Sequence, residues 1–244
     1  ITGFLPSYAG KLLCREVEIL GQVRDNPKRP FTLILGGAKV SDKIGVIGQL
    51  IERVDSILIG GGMAFTFLKA QGLQVGKSLV EEDRIDFARE LMAKADSKGL
   101  RILLPEDIVA AVSIESEGPV ETVQSGNIPE DLMGLDIGPA SIKAFSRVIE
   151  KSATVLWNGP MGVFEKPLFE KGTREVAASL AVATKSGCLT VVGGGDTAAA
   201  VNQLGFGDQV THVSTGGGAS LEFFEGLPLP GDRKSTRLNS SHRT

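Results

Sequence analysis

The sequence has few of the features that mark several classes of protein. Its 244 residues include only two cysteines, Cys14 and Cys188, which are too few and too far apart to suggest a disulfide framework or a metal site. No apolar run approaches the roughly 18 residues of a membrane span, and no basic segment followed by an apolar one marks a secretory signal. We therefore expect a cytoplasmic protein with no membrane partner.

Positive charge and histidine are scarce as well. Lys and Arg number 26 against 29 Asp and Glu, so the formal net charge is −3, whereas nucleic-acid partners usually require a basic patch. The histidines, His212 and His242, form no Ser-His-Asp or zinc-binding pattern. We expect no nucleic-acid partner and no chemistry that depends on a histidine base. Phosphoryl transfer to or from an ionised oxygen needs only positioning and charge neutralisation.

Segments typical of strands and helices alternate along the chain. Phe31–Leu35 is a continuous apolar run, as expected of a strand buried on both faces. The further predicted strands are 56–59, 101–104, 108–114, 154–157, 189–192 and 212–214. The predicted helices, which show apolar residues at helical spacing, are 8–23, 42–54, 63–71, 83–98, 141–150, 171–184 and 197–204. This alternation predicts an α/β fold: a Rossmann-like three-layer α/β/α domain with a parallel sheet of about six strands.

Glycine, by contrast, is abundant, with 31 of the 244 residues. Runs of three glycines follow predicted strands at 60–62, 193–195 and 216–218, and Gly36-Gly37 follows the first strand. The carboxyl ends of parallel strands form the ligand-binding edge of such a sheet. Glycine lets backbone N–H groups approach an anion there, beside the helix N-termini. The pattern favours a site for an extended anion such as a nucleotide polyphosphate; the alternative is that the glycines only permit tight turns.

Two lysines lie beside the first of these glycines. Lys39 and Lys43 are four residues apart and share one face of the first turn of a predicted helix. The helix dipole disfavours cations at this end, so an anionic ligand would explain their presence. The alternative is a pair of surface lysines balanced by Asp42 or Glu52.

Acidic and amide groups follow two other predicted strands. Asp196 comes directly after the glycine run 193–195, where a carboxylate can cap the next helix, meet a Mg²⁺ ion that accompanies phosphate, or do both. The segment 157–165 offers Asn158 and Glu165 as hydrogen-bonding groups. It also offers an apolar wall formed by Pro160, Val163 and Phe164. Such a mixture suits a ribose and its base.

Two familiar nucleotide-binding motifs are absent. No stretch of the sequence fits G-x-x-x-x-G-K-[ST], and no glycine run extends to G-x-G-x-x-G. The second absence disfavours a Rossmann-type dehydrogenase. A non-catalytic nucleotide-binding module is the alternative from a different functional class.

Five segments resemble the carboxy-terminal lobe of the phosphoglycerate kinase family: 35–44, 60–64, 157–165, 193–197 and 214–220. They occur in the family's order, with a matching loop at 135–139. The resemblance implies a glycolytic kinase that transfers a phosphoryl group between 1,3-bisphosphoglycerate and Mg-ADP, giving 3-phosphoglycerate and Mg-ATP. It further implies a cytosolic monomer in which phosphoglycerate binds only with an amino-terminal lobe that this sequence lacks. The isolated lobe is therefore expected to bind ADP or ATP with Mg²⁺ but to be inactive.

The resemblance also implies roles for individual residues. Lys39, Gly217 and Gly218 would stabilise the phosphoryl group during transfer. Asp196 would contact the magnesium ion. The residues implied to bind the nucleotide are Gly37, Ala38, Lys43, Gly61, Gly62, Gly138, Asn158, Pro160, Val163, Glu165, Gly194, Gly195, Asp196 and Thr197.

Domain boundaries follow from these patterns. We interpret residues 1–30 as a connector helix and lead-in from an upstream lobe, and residues 31–231 as the nucleotide-binding domain. From Arg233 onward the sequence carries four basic residues and no acidic one, without apolar periodicity. We interpret residues 232–244 as a non-native tail; the alternative is a basic tail for an anionic partner.

Overall fold

A computed structural model describes residues 10–226 of the chain, so the predicted tail 232–244 and the first residues of the predicted helix 8–23 lie outside the described residues. The helices are α1 Lys11–Asp25, α2 Ile44–Leu50, α3 Met63–Ala70, α4 Ile85–Ser97, α5 Pro139–Ile149, α6 Lys171–Lys185, α7 Gly195–Gln203 and α8 Gly218–Phe224. The strands are β1 Phe31–Leu35, β2 Ser56–Ile59, β3 Gln74–Val75, β4 Arg101–Leu103, β5 Asp107–Ala111, β6 Glu121–Gln124, β7 Asn127–Ile128, β8 Met133–Ile137, β9 Thr154–Asn158, β10 Leu189–Gly193 and β11 His212–Val213. Short 3-10 turns lie at Ser41–Lys43, Glu82–Arg84 and Gly207–Gln209. Within residues 10–226, no helix combines the length and apolarity needed to cross a membrane.

Six strands form one parallel sheet in the order β11-β10-β9-β1-β2-β4. The predicted fold class is therefore confirmed. The strand ends lie in register, because Leu35 is opposite both Ile59 and Asn158, and Asn158 is opposite Gly193. As a result, the segments that follow β1, β2, β9 and β10 emerge side by side at one edge of the sheet.

Helices cover both faces of this sheet and complete the three layers. Alternating residues of β1 point to opposite faces, so that Leu33 belongs to one buried cluster and Ile34 to the other. Helices α1, α2, α3, α4 and α8 contribute to the first cluster, and α5, α6 and α7 contribute to the second. Each fully buried Leu or Ile side chain contributes about 1.5–3 kcal/mol to stability. The helices packed on both faces therefore hold the strands in place, and with them the carboxyl edge of the parallel sheet.

A second, antiparallel sheet in the order β6-β5-β8 lies beside the parallel one. The prediction that residues 108–114 form a strand of the parallel sheet is wrong, because β5 belongs to this second sheet. Only residues 104–106 separate β4 from β5, whereas a parallel connection needs about a dozen residues or more. The segment 135–139, predicted as a loop, completes β8 and begins α5. A buried cluster that includes Phe65, Ile108 and Leu132 joins α3 to this region.

The predicted helix 42–54 is shorter than expected. It begins as the 3-10 turn Ser41–Lys43 and continues as α2, which ends at Leu50. The turn places Lys43 at the residue before α2, while Lys39 precedes the turn altogether. The two lysines therefore lie on an irregular segment that leads into the helix.

Candidate functional site

Two adjacent cavities lie at the carboxyl edge of the parallel sheet. The first, of about 360 Å³, is named the lysine cavity. It brings together the segments that follow β1, β9 and β10 with the start of α8. The sequence-predicted residues that line it are Gly37, Ala38, Lys39, Lys43, Asn158, Pro160, Gly194, Gly195, Asp196, Thr197, Gly217 and Gly218.

The lysines of this cavity lack the carboxylate partners that a purely structural role would provide. In the described part of the chain, neither Lys39 nor Lys43 has a carboxylate oxygen within 4.0 Å. Glu52, the predicted alternative partner, instead pairs with Lys94 at 3.2 Å and Lys98 at 2.5 Å. Burial lowers the pKa of Lys43, although the nearby Asp42 and Asp196 carboxylates partly oppose this shift. A half-buried ammonium without a paired carboxylate is suited to an anionic ligand.

The buried side chain of Asn158 indicates that this cavity binds a polar ligand. This last residue of β9 is 2% exposed, and neither its Oδ1 nor its Nδ2 has a hydrogen-bond partner within residues 10–226. Leaving such a group unpaired in the interior costs about 1–3 kcal/mol. The side chain lines the lysine cavity. A ligand with polar groups in that cavity would satisfy it.

Two glycines shape the walls because no other residue fits their positions. Gly194, just before α7, has a φ of +87°, and a Cβ there would lie 2.8 Å from Asn158 Nδ2. Gly61, after β2, has a φ of +63°, and its Cβ would lie 2.6 Å from the Gly37 amide nitrogen. Any residue with a side chain would also be strained by the left-handed backbone conformation at either position. These glycines therefore permit the close approach of neighbouring loops at the sheet edge.

The second cavity, of about 430 Å³, is named the apolar cavity. It lies between the loops of the parallel sheet and the small antiparallel sheet. The sequence-predicted residues Gly61, Gly62, Val163 and Glu165 line it, with the Glu165 side chain exposed. Most of its remaining wall is apolar. Phe164 was expected from the sequence, whereas the other apolar residues were not: Phe65, Leu79, Ile108, Ile114, Met133, Leu135, Ile137 and Met161.

Gly138 is the exception among the predicted site residues. It does not line either cavity; its amide donates to the Asp107 carbonyl oxygen at 2.8 Å. The Asp107 carboxylate fills the space beside its Cα, where a Cβ would lie 2.3 Å from Asp107 Cγ. A direct ligand contact by Gly138 has no support in this geometry.

The two cavities adjoin one another, since Gly37, Ala38, Pro160 and Asp196 line both. One cavity is largely apolar, and the other is lined by two lysines, the unpaired amide of Asn158 and the start of α7. Such a surface suits an extended ligand with a flat apolar group at one end and anionic groups at the other.

The residues present also fit a magnesium ion carried by such a ligand. Within residues 10–226, no group of three or more His, Cys, Asp or Glu side chains could hold a metal by itself. Mg²⁺, however, is commonly bound by one or two carboxylates together with substrate phosphates. The exposed carboxylate of Asp196 lines both cavities, and Asp42 lines the lysine cavity. These two residues are therefore the candidate protein ligands.

Known proteins are similar to this chain, in sequence and in structure, over most of its length. The phosphoglycerate kinase of Finegoldia magna is 55% identical over 231 residues, which cover 95% of this chain and 58% of that protein. The phosphoglycerate kinase of Thermus thermophilus is 55% identical, with 95% and 59% covered. The solved phosphoglycerate kinase of Coxiella burnetii has a TM-score of 0.89 at 39% identity, covering 94% of this chain and 58% of that chain.

The chain spans about 58% of the length of these relatives. The sequence model of the family described as phosphoglycerate kinase matches residues 1–227. The match therefore includes every strand and helix of the described structure. The chain belongs to the phosphoglycerate kinase family.

Proposed function

We propose that this chain is the nucleotide-binding lobe of a phosphoglycerate kinase, comprising the connector 1–30 and the domain 31–231. The observation that carries the proposal is that an apolar cavity and a lysine-lined cavity lie side by side, sharing Gly37, Ala38, Pro160 and Asp196 in their linings. A nucleotide has the matching form: an apolar base, a polar ribose and a chain of charged phosphates. Membership of the family supports the same assignment.

The nucleoside would occupy the apolar cavity. Its base would lie against the glycine backbone of Gly61 and Gly62 and the side chain of Val163, which line that cavity. Glu165 lies in the same lining with an exposed carboxylate. A carboxylate accepts hydrogen bonds from two neighbouring hydroxyl groups, so Glu165 would orient the ribose.

The phosphates would occupy the lysine cavity. Lys43 would neutralise phosphate oxygens, and Asn158 would gain the hydrogen-bond partners that it lacks. The amides at the start of α7, around Gly195, would add donors at the positive end of the helix. The Asp196 carboxylate would hold Mg²⁺ against the phosphates, and the bound ion would supply charge neutralisation.

Transfer of the phosphoryl group would use Lys39 together with the backbone at Gly217 and Gly218, which line the same cavity. In the proposed reaction, 1,3-bisphosphoglycerate gives its acyl phosphoryl group to the terminal oxygen of Mg-ADP, forming 3-phosphoglycerate and Mg-ATP. The accepting oxygen is already ionised, so no general base is required. Lys39 would stabilise the charge that the moving group carries between the two oxygens.

The second substrate is proposed to need a further lobe. Lys39 and Lys43, the cations that line the lysine cavity, are both assigned to the nucleotide and the transferring group, and the family resemblance places phosphoglycerate on an amino-terminal lobe. We propose that the isolated chain binds nucleotide without catalysing transfer, and that it acts as a monomeric lobe of a cytosolic, glycolytic enzyme.

A titration with two nucleotides tests this proposal against the dehydrogenase alternative. Calorimetry of the purified chain should give a saturable isotherm with Mg-ADP and a much weaker one with NADH, because no G-x-G-x-x-G turn is present. Lys43→Ala should weaken the Mg-ADP isotherm, while Lys77→Ala, at an exposed lysine outside both cavities, should leave it unchanged. Tight NADH binding with no response to Mg-ADP would reverse the assignment.

A further inference from the structure

Glu81 makes an unusual set of contacts next to the lysine cavity. Its Oε2 accepts hydrogen bonds from the Val40 amide and, at 3.2 Å, from the Ser41 amide. Its Oε1 accepts a hydrogen bond from Ser41 Oγ at 2.6 Å. One carboxylate thus holds three donors of the segment that connects Lys39 to Lys43.

These contacts satisfy donors that the segment cannot satisfy locally. Val40 is the residue before the 3-10 turn Ser41–Lys43, and no side chain of the turn itself caps it. The first amides of a helical turn have no partner within that turn. Glu81, which is 40 residues away from Ser41 along the chain, supplies the cap. The position of both lysines therefore depends on a residue from another part of the fold.

Glu81 is itself held by the surroundings of the apolar cavity. Its amide donates to Thr66 Oγ1 of α3 at 3.1 Å, and Thr66 is 1% exposed. Three residues earlier, Ser78 Oγ accepts the Gly134 amide of β8 at 2.9 Å. Between them, Leu79 lines the apolar cavity. Residues 78–81 thus connect the lining of the apolar cavity to the segment between Lys39 and Lys43.

We propose that Glu81 is a positioning residue for Lys39 and Lys43, fixing the turn between them so that both ammonium groups face the lysine cavity. The inference rests on the proposed nucleotide-binding function. Glu81 does not line the lysine cavity, and it is not in an ion pair with either lysine in the described structure. It acts through backbone hydrogen bonds.

The sign of the expected effect separates positioning from simple electrostatics. Removing a negative charge near a phosphate site should strengthen anion binding slightly, because like charges repel. Weakening the cap should reduce anion binding, because the segment between Lys39 and Lys43 loses its fixed geometry. Glu81→Gln removes the charge and weakens the cap, because one of the two acceptor oxygens is replaced by an NH2 donor; positioning predicts a net loss. Although burial opposes ionisation, hydrogen bonds from Ser41 and Val40 hold the pKa of Glu81 below its ordinary value, so the carboxylate is charged at neutral pH.

The test compares Mg-ADP with adenosine on the full chain. Glu81→Gln should weaken Mg-ADP binding about tenfold or more, because the donors of Val40 and Ser41 lose their charged acceptor, while adenosine affinity stays within about twofold. Amide hydrogen exchange at Val40 and Ser41 should accelerate. Glu82→Gln is the matched control: it removes the same charge from an exposed neighbour and should leave both affinities unchanged. Glu81→Asp, with a shorter reach, should fall between the wild-type chain and Glu81→Gln.

Each outcome has a definite meaning. Unchanged or stronger Mg-ADP binding by Glu81→Gln overturns the inference while leaving the proposed function intact. Equal losses for Mg-ADP and adenosine also overturn it, because they indicate a general structural defect. If Glu81→Gln does not fold, Glu81→Asp is judged by the same two affinities. Absence of Mg-ADP binding in the unaltered chain overturns the proposed function and this inference with it.

Discussion

The hydroxyl of Thr197, in the first turn of α7, accepts a hydrogen bond from the Gly159 amide at 2.6 Å. The bond is buried, and it ties the loop after β9 to the start of the helix after β10. Both residues line the lysine cavity. One side chain therefore links two walls of that cavity directly.

Thr197→Val should lower the free energy of unfolding by about 1–3 kcal/mol, because it keeps the side-chain shape but leaves the buried Gly159 amide without an acceptor. Thr197→Ser keeps the hydroxyl and should lose less. Urea denaturation of both variants and the wild-type chain measures the difference. Equal stability of Thr197→Val and wild type would contradict this account of the contact.

Gly61→Ala should destabilise the chain by about 1–3 kcal/mol and weaken nucleotide binding, because the methyl group meets the backbone of Gly37 at a positive φ. Gly48→Ala in α2 provides the control. Nothing lies within 4 Å of its added Cβ, and alanine is favoured over glycine in a helix, so we expect a gain of up to about 1 kcal/mol. Thermal unfolding and Mg-ADP titration would show whether the two substitutions diverge.

Asp136 should make stability depend on pH in the direction opposite to most carboxylates. Burial raises its pKa to about 7, against hydrogen bonds from the Gly172 and Ile137 amides; the charged neighbours are Glu170 and Lys171. Between about pH 4 and 7 the folded chain holds a proton that the unfolded chain has released. The contribution of Asp136 to stability is therefore greatest below pH 4 and falls as pH rises towards 7.

Asp136→Asn removes this dependence. Relative to the variant, the free energy of unfolding of the wild-type chain should fall by on the order of 4 kcal/mol between pH 4 and 7, at about 1.4 kcal/mol for each pKa unit. Above pH 7 the difference between the two proteins should stay constant. Denaturant unfolding at several pH values measures both curves. Parallel curves would show that Asp136 titrates as an ordinary exposed carboxyl does.

The roles of Lys39 and Lys43 should be distinguishable in a full-length enzyme rebuilt around this lobe. An interaction made only in the transition state lowers turnover when it is removed, whereas one made throughout also weakens binding. Lys39→Ala should therefore reduce kcat by roughly 100-fold or more with little loss of nucleotide affinity, while Lys43→Ala should weaken binding as well. Steady-state kinetics beside direct nucleotide binding distinguishes them. A near-normal kcat with lost affinity in Lys39→Ala would contradict its proposed role.

The main sheet and its ligand edge could be predicted because their signals are local. The apolar run of β1 and the glycines after β2 and β10 identify buried parallel strands and their carboxyl ends. The register of Leu35 with Ile59 and Asn158 then brings these glycines together. The predicted lysines, Asn158 and Asp196 consequently line one cavity.

The rest of the site depends on contacts distant in sequence. Glu81 lies in a polar stretch and caps a turn 40 residues earlier, and no local pattern marks it. Strands β6, β7 and β8 were not predicted because they are short or weakly apolar, although the short link after β4 could have excluded β5 from the parallel sheet. Gly138 matched a family motif but is buried against Asp107, outside both cavities.

The most direct test of the central claim is paired calorimetry of the chain with Mg-ADP and with 3-phosphoglycerate. We predict saturable binding of Mg-ADP in the two adjacent cavities and no measurable binding of 3-phosphoglycerate under the same conditions. Binding of 3-phosphoglycerate with an affinity comparable to that of Mg-ADP, or no binding of Mg-ADP at all, would contradict it.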